Sequence, residues 1–529
     1  MLCSRLRPKT QLSYLGLFSA LVYLLAFTLP YWLPTYYLHV EDEIYAFAAR
    51  EPWRGILFYL ALGGLFGLYW VACRVAYQLQ PDGAGRQRRA LQATFPPQLP
   101  ADGPWPVIGW ALIFCLLLIP VQPVTASDVY GYAFLGRVVA VLGQNPFVHL
   151  ASEFAADPFY FTVTFHGLPV TCGYGPLWAA ISGALGWLAR DQLLLNLFLF
   201  KGLAAGLHLA SALLVYGILK RVAPNYAVAG TLFYAWNPIL LYELVGNGHN
   251  DAAVAVLALL GFFELSRVSP RSEADMQGRS RPWGDRRLWA ISCLAAAALI
   301  KAVAVLWLPL AAVWLLARAK PWRARLRQAA AIVALTVVPA AVAYTPFWAG
   351  TATFQGLLAQ SDIHGNSLAS LVIHGLSNIW PDSATLWVQI VKLATILVFV
   401  PFYLVQLCAV SCSARLVDDR QRYDGLMRAS FDVILFYLLF VGFQFLPWYL
   451  TWLMIPAAVV GEARLGRRRR LAAAFCLLVP LLYFPFGAEW VTGRLPSGVA
   501  ALLSLLPIAA CGLWLAVRVW REQSPRRQQ

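Results

Sequence analysis

Val107-Ile108-Gly109-Trp110-Ala111-Leu112-Ile113-Phe114-Cys115-Leu116-Leu117-Leu118-Ile119 carries no charged residue, and Ser127-Asp128-Val129-Tyr130-Gly131-Tyr132 follows it closely. A carboxylate is costly at bilayer depth, whereas aromatic rings favour the membrane–water boundary. The stretch therefore reads as a helix leaving a bilayer and delivering an acid to its mouth. Working outward, apolar runs near the roughly 20 residues that span a hydrocarbon core recur along nearly the whole chain. The 529 residues are 60% hydrophobic and 12% charged, about half the charged share of a soluble domain. No stretch between the runs reaches the roughly 100 residues of a conventional soluble domain. An all-α polytopic membrane protein is expected, with residues 1–529 forming a single transmembrane domain.

The formal net charge is +16, but Lys and Arg gather in short segments between apolar runs, such as Arg318 to Arg327 and Arg467 to Arg470. That is the pattern of the positive-inside rule, and it argues against nucleic acid as a partner. Cys115, Cys293, Cys408, Cys476 and Cys511 lie inside apolar runs, so no disulfide framework is expected. The first run follows Arg5, Arg7 and Lys9 without a small-residue cleavage site and reads as a retained span.

Charge sets the topology. Spans are expected over Leu12–Leu29, Ile56–Tyr77, Val107–Ile119, Leu193–Leu219, Tyr226–Tyr242 and Ala252–Phe263. Leu288–Leu316 reads as a hairpin of two short or broken helices with Lys301 near the turn. Further spans are expected over Ala329–Phe347, Leu386–Val410, Phe431–Leu446, Tyr449–Val460, Leu471–Phe486 and Val499–Val517. This makes about 14 crossings, both termini cytoplasmic, in the plasma membrane. Residues 122–192 form an external loop with surface helices, and residues 264–287 a basic cytoplasmic loop. Leu177–Leu188 could instead be a span, but that would put Lys220 and Arg221 outside. The external face is rich in aromatics and carboxylates and poor in bases, which places the chemistry there.

Asp128 can act as a general base toward a hydroxyl nucleophile, or simply cap the helix that follows. Arg137 suits a phosphate or carboxylate partner, or a nearby acid. Gly246-Asn247-Gly248-His249-Asn250-Asp251, after Trp236-Asn237-Pro238, sets polar side chains between apolar spans. That is costly unless they line a polar cavity or make a capped turn. Lys301 interrupts an apolar stretch, where a lysine either meets a lipid phosphate or snorkels. Tyr132, Tyr174, Asn247, Asn250, Asp251, His364 (with Asp362 and Asn366), Trp448 and Tyr449 are candidates for binding sugar or acceptor. Glu41, Asp42 and Glu43 form an alternative acidic site.

On these residues the chain resembles the GT-C superfamily of glycosyltransferases, which use polyprenyl-phosphate sugars. Asp128, Gly136-Arg137, Asn145-Pro146-Phe147, Tyr174-Gly175-Pro176-Leu177 and Trp236-Asn237-Pro238 occur in the superfamily's order. Gly248-His249-Asn250-Asp251 is most similar to the bacterial alpha-mannosyltransferases that use polyprenyl-phosphate mannose. The resemblance implies a GT-C-like bundle and inverting transfer of a hexose, mannose first, to a lipid-linked or glycan acceptor. In that scheme Asp128 is the base, and Arg137, Lys301 or His249 meets the donor phosphate. Membrane lipids are the other expected partners. No cofactor is called for, a divalent cation being the alternative. There are two departures: two spans precede the motif-bearing one, suggesting an amino-terminal addition, and the superfamily's paired acids occur at Glu41-Asp42-Glu43 rather than at Asp128. A lipid-linked sugar flippase and a glycan polymerase or ligase are the rival readings.

Overall fold

A computed structural model describes residues 7–40, 47, 51–78, 103–163, 171–267, 286–319, 321–360, 363, 367–461 and 466–480. Among them the protein is helical throughout, with isolated bridges such as Trp32 to Val121 in place of strands. The helices are α1 (Pro8–Tyr23), α2 (Pro52–Gln78), α3 (Trp105–Leu118), α4 (Asp128–Ala140), α5 (Pro176–Ala189), α6 (Leu193–Val222), α7 (Ala227–Ala235) and α8 (Asp251–Leu265). They continue as α9 (Trp289–Ala298), α10 (Trp307–Leu316), α11 (Trp322–Tyr344), α12 (Leu368–Ile379), α13 (Ala384–Ser413), α14 (Asp419–Phe436), α15 (Leu450–Val459) and α16 (Arg467–Leu478).

Five helical stretches among the described residues are long and apolar enough to cross a membrane: Pro8–Thr28, Trp53–Tyr77, Leu193–Val222, Trp322–Phe347 and Pro381–Ser413. Four of these coincide closely with expected spans, and Pro381–Ser413 contains a fifth. The outermost, α13, is covered over very little of its length and presents Leu393, Leu397 and Val405 outward. α5 has 14 residues, or about 21 Å at 1.5 Å per residue, too short to cross a hydrocarbon core of about 30 Å upright. The expected span Val499–Val517 lies outside the described residues, as does most of the basic loop.

The centre of the bundle is not a continuous span. Every residue from Ala227 to Ala255 is buried, yet the chain breaks twice within that stretch. α7 stops at Ala235 because Pro238 cannot donate a backbone hydrogen bond and biases its predecessor away from the helical region. Asn237 then caps a new turn, its Oδ1 accepting from the Ile239 and Leu240 N–H groups at 3.1 and 3.3 Å. The second break follows a π-helical turn, Leu241–Gly246. Between Pro238–Gly246 and α8 the axis bends by 119°. The single span expected over Tyr226–Tyr242 is thus two short pieces meeting inside the protein.

Lys301 sits at another break, in extended conformation between α9 and α10, each 10 residues long. Packed against these breaks is α15, whose residues Leu450 to Val459 are all buried. The first two helices also join this core, since Phe27 of the α1 extension meets the Phe58 and Tyr242 rings at 5.4 Å each.

Candidate active site

The broken helices converge beside the start of α4. Asp128 opens that helix half-buried, and its Oδ1 accepts a hydrogen bond from the Tyr174 hydroxyl at 2.8 Å. Burial, and then the Asp128 charge, push the Tyr174 phenol well above its ordinary value, so it stays a donor. Tyr132 lies one turn along α4, with its ring edge-on to Tyr174 at 5.2 Å and to Trp178 at 5.0 Å. Its phenol is likewise raised, first by burial and then by the charges of Asp128 and Asp251.

Tyr174 is tied to Lys301 through the backbone. The Gly175 N–H donates to Ile300 O at 3.0 Å and the Leu177 N–H to Leu299 O at 3.1 Å. A Cβ on Gly175 would fall 1.9 Å from Leu299 O, so only glycine allows this approach. Lys301 Nζ pairs with Asp251 Oδ2 at 2.9 Å, and Asp251 Oδ1 accepts from Trp452 Nε1 at 2.6 Å. The ammonium also faces the stacked Tyr449 and Trp452 rings, 5.2 and 5.3 Å from their centroids.

The Gly246–Asp251 turn closes the site from beneath. Gly248 has φ +78° and packs on Val129 and Lys201, a left-handed conformation that suits glycine. His249 stacks on Trp448 at 4.0 Å, and its Nε2 lies 3.2 Å from Glu243 Oε2. Asn247 Nδ2 donates to Thr125 Oγ1 at 2.6 Å and to Glu243 Oε2 at 2.8 Å. Asn250 is buried with no hydrogen-bond partner for its side-chain amide. Among the described residues no three His, Cys, Asp or Glu side chains form a group able to hold a metal.

The structure therefore brings Asp128, Tyr132, Tyr174, Asn247, His249, Asn250, Asp251, Lys301, Trp448 and Tyr449 into one neighbourhood. It does not bring Arg137 there. That residue lies about 13 Å further along α4, and its guanidinium is taken by Asp157 and Asp191 at 2.7 Å each. His364, with its neighbours Asp362 and Asn366, and Glu41, Asp42 and Glu43 lie outside the described residues. Reasoning from sequence alone passes over Glu243 and Lys201, both fully buried. The signal is present in each case, an ionisable side chain inside an apolar run.

An all-helical bundle with five described helices long and apolar enough to cross a membrane is a polytopic membrane protein. The chain belongs to the alpha-(1->6)-mannopyranosyltransferase family, whose N-terminal domain it matches over residues 13–318, more than half its length. It is accordingly a glycosyltransferase of a mannosyl-transferring family. The match begins within the first span, so the two helices before α3 fall within the family domain. No curated protein and no solved structure matches the chain.

Proposed function

We propose that the protein is an inverting mannosyltransferase that takes its sugar from a polyprenyl-phosphate donor on the outer face of the membrane. The acceptor is a lipid-linked or free glycan hydroxyl. Asp128 removes the hydroxyl proton as the oxygen bonds to the anomeric carbon, while the bond from that carbon to the lipid phosphate breaks on the opposite side. Polyprenyl phosphate leaves as an anion, so cationic stabilisation serves it better than an acid, and Lys301 is the ammonium available. His249, Asn247 and Asn250 shape the sugar site from the turn, and Trp448 and Tyr449 offer faces on which sugar rings stack. The observation that carries this reading is that half-buried Asp128 is held by Tyr174, which adjoins the backbone junction next to Lys301.

The test is transfer by purified protein from synthetic polyprenyl-phosphate mannose to a panel of glycan and glycolipid acceptors. Asp128→Asn should reduce turnover by at least about 10²-fold, the low end of general-base contributions, with Asp42→Asn close to wild type. Loss confined to Asp42→Asn would move the base to the first external loop. Movement of the intact donor across vesicles without glycoside formation would replace the enzyme with a flippase.

A further inference from the structure

Glu243 takes no part in the chemistry above, yet its carboxylate is fully buried at the second helix break. Burying a carboxylate is costly unless its oxygens are met, and an apolar side chain would fill the same space at less cost. Here both oxygens are engaged. Oε2 accepts from Asn247 and lies 3.2 Å from His249 Nε2, while Oε1 accepts from Thr125 Oγ1 at 3.5 Å. Lys201, on α6, reaches the same turn, its Nζ donating to Gly246 O and to Val121 O.

The partners lead in two directions. Thr125 precedes Asp128 by three residues, so its anchorage sets where α4 begins. His249 lies flat on Trp448 at an interplanar angle of 21°, and Trp448 is followed by Tyr449, whose ring faces Lys301. We infer that Glu243 is a positioning residue for glycosyl transfer. Its carboxylate links the start of the Asp128 helix, through the hydrogen bond from Thr125, to the aromatic wall beside Lys301, through its 3.2 Å approach to His249 Nε2, a close contact without a hydrogen bond. The distance between base and cation is then fixed before substrate arrives, which is where small misplacements are most damaging. This rests on the reading that Asp128 and Lys301 flank the reacting bond.

The experiment uses the full chain in nanodiscs, the donor and best acceptor of the assay above, and a double-mutant cycle. Glu243→Ala is expected to lower kcat about tenfold or more with KM changed less than about threefold. His249→Ala should behave alike, and Glu243→Ala/His249→Ala should fall no further than the worse single variant. Glu243→Gln keeps the shape and can both accept and donate, so it should restore kcat to within about threefold of wild type. Gel filtration and melting confirm that each variant is folded; where Glu243→Ala is not, the cycle is run with Glu243→Asp. Multiplicative losses, full turnover in Glu243→Ala, or a folded Glu243→Gln as impaired as Glu243→Ala would each overturn the positioning role. Asp128→Asn measured alongside separates the two readings. Wild-type turnover in that variant with the cycle still non-additive would remove the base but leave the Glu243–His249 coupling standing.

Discussion

Arg137 and Lys301 are two cations on the face read as external, and their surroundings differ in one decisive respect. Arg137 is bound by two carboxylates, Asp157 and Asp191, with the Phe159 ring 4.6 Å beneath. That cluster is net negative and repels an incoming phosphate. Lys301 faces one carboxylate, Asp251, so the pair is neutral, and Trp452 holds the other oxygen of that acid. A phosphate arriving at Lys301 can displace Asp251 from the ammonium while Trp452 keeps the acid from being wholly orphaned. A cation's usefulness to an anionic substrate therefore depends on what already neutralises it, which is invisible until the fold is known.

Lys301→Met is the sharpest way to break this comparison. Removing the charge while keeping the length should lower kcat/KM for the polyprenyl-phosphate donor by about 10²-fold, the scale of deleting one charge-stabilising donor from a transition state. The steady-state rate against donor concentration reads it directly. A loss below about threefold would mean that another group meets the phosphate.

A smaller effect is expected from Gly175→Ala, which touches neither charge. The added methyl meets Leu299 O at 1.9 Å, so the Tyr174 segment and the Lys301 break must move apart. Turnover should fall about tenfold, below the roughly 10²-fold that a misplacement of a full ångström can cost. Full activity would show that the junction of these two segments does not set the site.

How much of this was legible depended on the range of each interaction. Pro8–Thr28 and Leu193–Val222 were readable because hydropathy and flanking charge are local properties. The break at Trp236–Pro238 was readable too, since Asn237-Pro238 is a capping residue before a helix-starting proline. A window that counts Trp236, Pro238 and Ile239 as apolar simply passes over it. Asp128 and Lys301 stood out as ionisable groups at or inside apolar runs. Lys201 carried the same mark but was absorbed into the expected span Leu193–Leu219, and Glu243 was passed over one residue beyond the end of Tyr226–Tyr242. The pairing of Glu243 with His249 requires the 119° bend, and Arg137 finds Asp157 and Asp191 20 and 54 positions away. Neither could be read from spacing.

The other side of the comparison predicts the smallest change in turnover. Arg137→Met removes one member of a buried pair, Arg137 and Asp157 being 7% and 6% exposed at the side chain, and leaves Asp157 uncompensated. Such a loss costs roughly 3–5 kcal/mol of stability, offset in part because Asp191 is 78% exposed and can turn to water. Burial lowers the affinity of the Arg137 guanidinium for its proton, but Asp157 and Asp191 more than reverse this, so the triad stays ionised while both acids are charged. The melting midpoint should therefore drop clearly, while kcat per folded molecule stays within about twofold of wild type, as for a residue outside the reacting geometry. If turnover instead collapsed in protein that still melts cooperatively, Arg137 would have to release its carboxylates for substrate. The contrast with Lys301 would then fail at its first premise.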